Sequence, residues 1–262
     1  MPPFKLWTII RKILPTTMTS LLVRFRRWLQ PADRPTALQE EIQFWRDWFV
    51  TGGLQWRQDF DERFDPNQPI QKHLASYIDR LETDRVHILD VGSGPLTKLG
   101  KIHPSKQIMI TATDLLAQEY DRLLEDLEME PPIRTIYADA ENLAEQFGRD
   151  TYDIVHGQNC IDHTADPLRS IKQMLAVSKP QGFVVLFHAE NEGKREQYHQ
   201  LHQWDFTCED GFFVIRDRRG RATNVTKELA AVGEVECTRV QDGDDFAILT
   251  GIRKYDHPVG DS

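Results

Sequence analysis

Cysteine is scarce in this chain, and no run of apolar residues is long enough to cross a bilayer. Only three of the 262 residues are cysteines, Cys160, Cys208 and Cys237, and none belongs to a Cys-x-x-Cys pair. This spacing argues against a disulfide framework and against a cysteine zinc site, and it favours reduced thiols in the cytoplasm. A spanning helix needs about 20 predominantly apolar residues. The sequence therefore predicts a cytoplasmic protein without a membrane span.

Positive charge is in deficit over most of the chain. The formal net charge is −9, and residues 1–31 hold six basic and no acidic side chains, so the remaining residues carry −15. Proteins that bind nucleic acid need a basic surface that neutralises phosphates. We therefore expect no nucleic-acid substrate.

The basic residues of segment 1–31 alternate with Trp, Phe, Leu and Ile, and Pro15 divides the segment in two. Each half is typical of a short basic amphipathic helix that lies on an anionic membrane surface. A helix packed on the body or on a partner, a flexible tail and a targeting peptide remain as alternatives.

The length and composition suffice for one sizeable core with appendages. A proline-containing linker ends at Pro35, and Thr36 is placed to cap the helix that follows. We expect three parts, which are the basic segment with its linker over 1–35, the main domain over 36–255 and a tail over 256–262.

The most informative stretch is residues 86–95, Val-His-Ile-Leu-Asp-Val-Gly-Ser-Gly-Pro. Its apolar half favours a buried strand, and its glycines allow a sharp turn close to a ligand. Asp90, at the end of the strand, would face the pyrophosphate of a dinucleotide, which is unfavourable. A carboxylate there suits a cationic or hydroxyl-bearing ligand better.

The Asp90-x-Gly92-x-Gly94 pattern resembles motif I of the class I S-adenosylmethionine-dependent methyltransferases, usually Asp/Glu-x-Gly-x-Gly-x-Gly. Leu96 replaces the third glycine. A second apolar strand ends at Asp114, 24 residues after Asp90, where doubly wound folds place a carboxylate that binds ribose hydroxyls.

Three further landmarks follow in the order of that superfamily. A third strand ends at Asp139, which matches the position where a methyltransferase carboxylate meets the adenine amino group. The segment 159–167, Asn-Cys-Ile-Asp-His-Thr-Ala-Asp-Pro, is similar to the Glu-His-x-x-Asp-Pro stretch after strand four, with Asp162 in place of Glu. Residues 178–182 resemble the Leu-Lys-Pro-Gly-Gly turn before strand five, with Ser178 and Gln181 as departures.

The resemblance implies S-adenosylmethionine as the cofactor. The residues it assigns to cofactor binding lie at the expected strand ends; they are Asp90, Gly92, Ser93, Gly94, Asp114, Leu115, Asp139, Ala140 and Asn159.

Strands alternate with helices along residues 86–188, which predicts an α/β fold with a parallel sheet covered on both faces. Together with the resemblance, this predicts a doubly wound, Rossmann-like sheet of seven mostly parallel strands, an antiparallel C-terminal hairpin and N-terminal helices. Helices are expected over 37–50, 69–82, 96–102, 115–127, 141–147, 167–177 and 226–232. The first has an aromatic face that either packs in the core or forms a wall of the substrate pocket.

His163 is the leading candidate for a general base, because neutral imidazole accepts a proton near neutral pH. Asp162 either orients His163 or acts itself. The alternative is that His163 only shapes the pocket.

A second group of polar residues follows the fifth strand and is assigned, more weakly, to the substrate: His188, His199, His202 and Trp204. His199 and His202 share one face if their segment is helical. A solvated helix is the favoured interpretation over a metal site, and we expect no metal. Arg216, Arg218, Arg219 and Arg221 flank a turn that either binds an anionic substrate or is solvated.

No Asn/Asp-Pro-Pro-Tyr/Trp motif follows the fourth strand, which argues against a nucleobase amine or a glutamine amide as methyl acceptor. We expect an S-adenosylmethionine-dependent methyltransferase that O-methylates a small molecule or a sugar or glycan. A nicotinamide-dependent oxidoreductase on a similar sheet and a non-catalytic, membrane-associated scaffold remain as alternatives.

Overall fold

The structure is a computed structural model that describes residues 34–257. The basic segment 1–31 and the end of the predicted tail lie outside these residues. In the described part, no helix is both long and apolar enough to cross a membrane.

Within the described residues, ten strands form two sheets. They are β1 (Arg85–Val91), β2 (Gln107–Asp114), β3 (Ile136–Tyr137), β4 (Tyr152–Gln158), β5 (Ser178–Ala189), β6 (Trp204–Glu209), β7 (Phe212–Asp217), β8 (Ala222–Asn224), β9 (Gly233–Asp242) and β10 (Asp245–Lys254). The main sheet has the order β3-β2-β1-β4-β5-β10-β9. Its first five strands are parallel, and β10 runs antiparallel to both neighbours. This confirms the predicted doubly wound sheet with its C-terminal hairpin.

The helices are α1 (Arg34–Thr51), α2 (Arg57–Phe64), α3 (Lys72–Asp79), α4 (Ala117–Asp126), α5 (Leu143–Phe147), α6 (Pro167–Val177), α7 (Glu192–Arg195) and α8 (Val225–Leu229). Helix α6 has the predicted bounds, because Pro167 occupies its first turn and the carboxylate of Asp166 accepts the Arg169 N–H at 3.0 Å. Helix α1 begins before the predicted cap. It includes Pro35 and Thr36, so the linker and capping predictions were wrong for these two residues.

The predicted helix over 96–102 is absent. Residues in this segment instead bond to an extended stretch before α3: Gln71 N–H donates to the Leu99 carbonyl and Ile70 N–H donates to the Ile102 carbonyl, both at 2.9 Å. Gly100, at φ 78°, brings the two stretches together, since a Cβ there would lie 2.0 Å from the Pro69 carbonyl oxygen. The connection from β1 to β2 therefore has no helix.

Two other expectations need correction. The third strand was predicted to run up to Asp139, but only Ile136 and Tyr137 pair with β2. The segment around His199 is not a helix, because Gln197, Tyr198 and Gln200 have left-handed backbone angles of 52–56°. The chain turns there and enters β6, which forms a small antiparallel sheet with the hairpin β7–β8, which carries the four arginines at its turn.

The core lies on both faces of the main sheet. Helix α6 packs on one face with Ile171 and Met174, and helix α3 packs on the other with Leu74 and Ile78; all four side chains are buried. The order in which the chain adds parallel strands changes direction between β1 and β4: β2 and β3 lie on one side of β1, and β4 and β5 lie on the other. In such sheets a ligand cleft forms at this switch point, beyond the carboxyl ends of the strands.

Candidate active site

The glycine turn after β1 has the backbone that its sequence requires. Gly92 and Gly94 have φ angles of 65° and 66°. A Cβ on Gly92 would lie 2.4 Å from the Cβ of Cys160, and one on Gly94 would lie 2.8 Å from Trp45 Cζ2. Only glycine satisfies both the angle and the space, so the turn leaves a backbone-lined surface for a ligand.

Asp114 connects β2 to this turn. Its Oδ2 accepts the Gly94 N–H at 3.0 Å, and its Oδ1 accepts the Leu116 N–H at 2.9 Å. Burial raises the pKa of Asp114 to about 6, and repulsion from nearby carboxylates also raises it. The two backbone hydrogen bonds lower the pKa but do not offset the effect of burial. Each oxygen has a lone pair left with which to accept a ligand hydroxyl.

Asp90 is held by protein partners. Thr97 Oγ1 donates to its Oδ2 at 2.6 Å, and its Oδ1 lies 3.0 Å from His156 Nδ1. His156 was not predicted, although it lies at the matching position of β4, opposite Asp90. The contact fixes the carboxylate at the floor of the site.

The remaining predicted cofactor residues form the sides. Ser93 Oγ lies 3.2 Å from Thr135 Oγ1, which locks the glycine turn. Asp139 Oδ1 accepts the Glu141 N–H at 2.9 Å, which shapes the loop after β3. Asn159, at φ 47°, accepts the Ala189 N–H through its side chain at 2.9 Å.

Two adjoining cavities, of ≈ 180 Å³ and ≈ 90 Å³, lie at the switch point. Five residues line both, so the two make one cleft: Glu41, Gly92, Asp114, Cys160 and His163. All nine residues predicted for the cofactor line this cleft. Gly92 and the carboxylate of Asp114 provide the cradle and the acceptor that an adenosyl ligand needs, so the residues fit S-adenosylmethionine.

Helix α1 forms one wall of the cleft. Glu41 and Trp45 line it, and Trp45 Nε1 donates to Glu41 Oε1 at 2.8 Å. Trp48 and Phe49 of the same helix are buried against α2. The aromatic face of α1 thus packs in the core through Trp48 and Phe49 and lines the cleft through Trp45. Two basic residues without a role predicted from the sequence, Arg63 and Lys98, also line the first cavity.

The predicted catalytic pair lies in a short 3₁₀ turn, Ile161–His163, after β4. Asp162 Oδ2 is 3.5 Å from His163 Nε2 and 3.0 Å from His202 Nδ1, and the two imidazole nitrogens are 3.2 Å apart. We call these three residues the histidine–aspartate cluster. Burial favours the neutral form of Asp162, but the nearby imidazoles, with His163 the strongest, outweigh it and lower its pKa to about 2.

The structure brings only one of the four weaker substrate candidates into this site, namely His202. His188 is buried, and its Nε2 accepts the Ile161 N–H at 3.1 Å; burial lowers its pKa to about 4. Trp204 Nε1 donates to the Thr164 carbonyl at 3.0 Å. None of the four lines either cavity, and His202 reaches the site only through its contacts with His163 and Asp162.

The basic hairpin supports the solvated interpretation. Arg216 Nη2 donates to Glu209 Oε2 at 2.8 Å, and Arg221 Nε donates to Asp217 Oδ2 at 2.6 Å. These two arginines are neutralised by residues of their own sheet, and the four arginines of the turn line neither cavity of the cleft.

A sequence model described as a methyltransferase domain matches residues 89–186, from within β1 to within β5. Among curated proteins, no sequence matches this chain significantly. The matched segment contains the glycine turn, Asp114, Asp139 and the 3₁₀ turn with His163.

Several solved structures resemble the chain at low identity. The 1,6-didemethyltoxoflavin-N1-methyltransferase of Burkholderia thailandensis, with bound 1,6-didemethyltoxoflavin and S-adenosylhomocysteine, is 15% identical, with 87% of this chain and 93% of that chain covered and a TM-score of 0.48. A putative methyltransferase of Bacillus halodurans is 13% identical, with 71% and 100% covered and a TM-score of 0.45. The CMeT domain of a citrinin polyketide synthase is 17% identical, with 69% and 50% covered and a TM-score of 0.48. The chain thus spans about half the length of that domain, and likenesses this distant identify no substrate.

The family match covers the strand ends and the turn that form the cleft, and the sheet is doubly wound and mostly parallel, as those motifs predict. Residues 89–186 therefore match a methyltransferase domain, on a sheet of the kind that the class I S-adenosylmethionine-dependent methyltransferase motifs predict.

Proposed function

We propose that the protein transfers a methyl group from S-adenosylmethionine to a hydroxyl oxygen of a small molecule or of a sugar or glycan. One observation carries the proposal: His163 lines both cavities of the cleft, and Asp162 and His202 lie directly behind it. A hydroxyl acceptor must lose its proton during transfer, and this cluster is placed to assist that loss.

The cofactor half of the cleft follows from the strand ends. Bound S-adenosylmethionine supplies an electrophilic methyl group on its sulfonium. Asp114 binds the ribose hydroxyls, Asp139 and Ala140 border the adenine, and the glycine turn leaves room for the rest of the cofactor. The first cavity, bordered by Glu41 and Lys98, receives the charged methionyl end.

The acceptor half follows from His163. The protein contributes mainly the position of the hydroxyl oxygen in line with the methyl group. His163 contacts the hydroxyl and accepts its proton. Asp162 is buried behind His163, and its negative charge stabilises the imidazolium that forms. Cys160, whose pKa is raised by burial and by nearby carboxylates, stays a neutral thiol and is no nucleophile.

Methylation of extract fractions with labelled S-adenosylmethionine tests the proposal. An acceptor whose methylated oxygen is identified by mass spectrometry supports it, and an acceptor methylated on nitrogen or carbon contradicts it. His163→Ala is expected to lower turnover by about 10²–10⁴ with cofactor binding intact. His257→Ala, at an exposed position near the end of the described chain, is the matched control and keeps full turnover.

The nicotinamide alternative is tested by the same preparation. Thermal stabilisation by S-adenosylhomocysteine but not by NAD is expected, because Asp90 disfavours a pyrophosphate at the glycine turn. Stabilisation by NAD alone would reverse this assignment. A chain that binds the cofactor but methylates nothing would favour the scaffold.

A further inference from the structure

The histidine–aspartate cluster brings three donor atoms to one point. His163 Nε2, His202 Nδ1 and Asp162 Oδ2 form a triangle with sides of 3.0, 3.2 and 3.5 Å. Within residues 34–257 it is the only group of three His, Cys, Asp or Glu side chains whose donor atoms converge in this way. The residues come from separate parts of the chain, the 3₁₀ turn and the turns before β6, so the convergence belongs to the tertiary fold.

Hydrogen bonds within the cluster do not satisfy all of its polar atoms. Two imidazole nitrogens share one carboxylate oxygen, while the other oxygen, Asp162 Oδ1, is buried without a hydrogen-bond partner in the described chain. The Asp162 side chain is 4% exposed, so water does not readily satisfy that oxygen. A buried carboxylate with an unused oxygen beside two imidazoles is a typical set of metal ligands.

The spacing also fits a cation. Bonds of about 2.1 Å to nitrogen and oxygen put neighbouring ligand atoms roughly 3.0–3.4 Å apart in octahedral or tetrahedral sites. The triangle has this size, and it forms one face of such a site.

A second acidic residue supplies charge nearby. Glu192 interacts electrostatically with both His202 and Asp162. Its Oε2 is buried and lacks a hydrogen-bond partner among the described residues, and it forms a 3.7 Å ion pair with Arg195 Nη1. Asp162 and Glu192 together match the two charges of a divalent cation.

We propose that Asp162, His163 and His202 bind a divalent transition-metal cation at the edge of the cofactor cleft. Two imidazoles favour zinc, iron, cobalt or nickel over magnesium and calcium, which prefer oxygen ligands. His163 also lines the cleft, so the cation lies at the edge of the cleft, next to the acceptor. With the cation bound, His163 Nε2 is a ligand and not a free base; a hydroxyl beside the cation is then more acidic and loses its proton to solvent as its oxygen bonds to the methyl group. This last step rests on the proposed function, whereas cation binding does not.

The sequence prediction of no metal site treated His199 and His202 as a pair on one helix. The turns before β6 separate them, and His202 pairs with Asp162 instead. The partner lies 40 residues earlier in the chain, which is why spacing alone did not indicate it.

Cobalt binding to the full-length chain tests the site. After treatment with a chelator, the protein is titrated with Co²⁺, and absorption bands of bound Co²⁺ and calorimetry are recorded. We expect one equivalent to bind, and Zn²⁺ to displace it. His202→Gln and Asp162→Asn are expected to weaken binding at least tenfold, while His257→Ala leaves it unchanged.

Each result has a defined meaning. Thermal stabilisation by S-adenosylhomocysteine reports that a variant is folded; if Asp162→Asn is not folded, His202→Gln, at a side chain 25% exposed, carries the test. No Co²⁺ binding by the wild type, or equal binding by the folded variants, overturns the cation site. His163-dependent methylation without a cation would leave the proposed function standing. Cation binding without any hydroxyl acceptor would leave only the metal site.

Discussion

Cofactor binding is expected to weaken as the pH falls through about 6, because Asp114 must be ionised to accept ribose hydroxyls. Burial beside the cleft raises the pKa of Asp114 to about 6 from the usual 3.8. A ligand that bonds to the carboxylate favours its ionised form, so affinity falls by up to tenfold per pH unit below this value. Between pH 7 and pH 5 we expect a loss of roughly tenfold.

The stability of the ligand-free protein should change in the opposite direction. A carboxyl group with a raised folded-state pKa favours folding when it is protonated. Its contribution is fully present below the unfolded pKa of 3.8 and is lost as the pH rises through about 6. A shift of this size corresponds to at most about 3 kcal/mol, since one pKa unit is about 1.4 kcal/mol.

Calorimetry with S-adenosylhomocysteine at pH 5, 6 and 7 measures the binding effect. Asp114→Asn keeps the shape of the side chain, removes the titration and should weaken binding at pH 7 by about 1–3 kcal/mol. Its affinity should no longer vary over this range. Asp126→Asn, at an exposed site at the end of α4, is the control. An equal pH slope in wild type and Asp114→Asn would refute the reasoning.

Two further predictions follow from the glycine turn and from the N-terminus. Gly92→Ala should lower the free energy of unfolding by at least about 2 kcal/mol and abolish S-adenosylhomocysteine binding, because it combines backbone strain with a clash against Cys160. Gly220→Ala, at φ 80° with nothing within 4 Å, should cost only about 1 kcal/mol and leave binding unchanged; equal costs in urea titrations would contradict the steric argument. Segment 1–31 lies outside the described residues, and we propose that it brings the protein to an anionic membrane surface. The full chain should float with anionic liposomes, less so at high salt, and a chain beginning at Ala32 should not; equal recovery of both would reject membrane binding.

Local sequence signals predicted most of the sheet. The strands that contain Asp90 and Asp114 are apolar runs followed by a turn. These signals are local and need no tertiary information. The segment after Leu96 shows the limit, because its backbone bonds go to residues near Gln71 and not to its own next turn. Its composition resembles a short helix, and only the packed fold decides between the two.

The site shows a similar division. The cofactor residues follow from strand ends, since parallel strands bring their carboxyl ends together. The histidine–aspartate cluster needs a contact between β4 and the turns before β6, and those turns depend on left-handed residues such as Tyr198. His188, predicted for the substrate, became a buried acceptor for the Ile161 N–H, because its position in β5 points it under the 3₁₀ turn.

The helix-free connection after β1 changes which part of the chain controls cofactor retention. No helix N-terminus follows the glycine turn, and the first cavity is lined instead by Trp45 of α1 and Arg63 of α2, whose guanidinium carbon lies 5.4 Å from the Trp45 ring centroid. A cofactor in the first cavity contacts both the sheet and these helices, and it joins them as a shared ligand. Cofactor loading should therefore slow proteolysis between α1 and α2, and residues that precede the sheet by 40 positions become determinants of how long the cofactor stays bound.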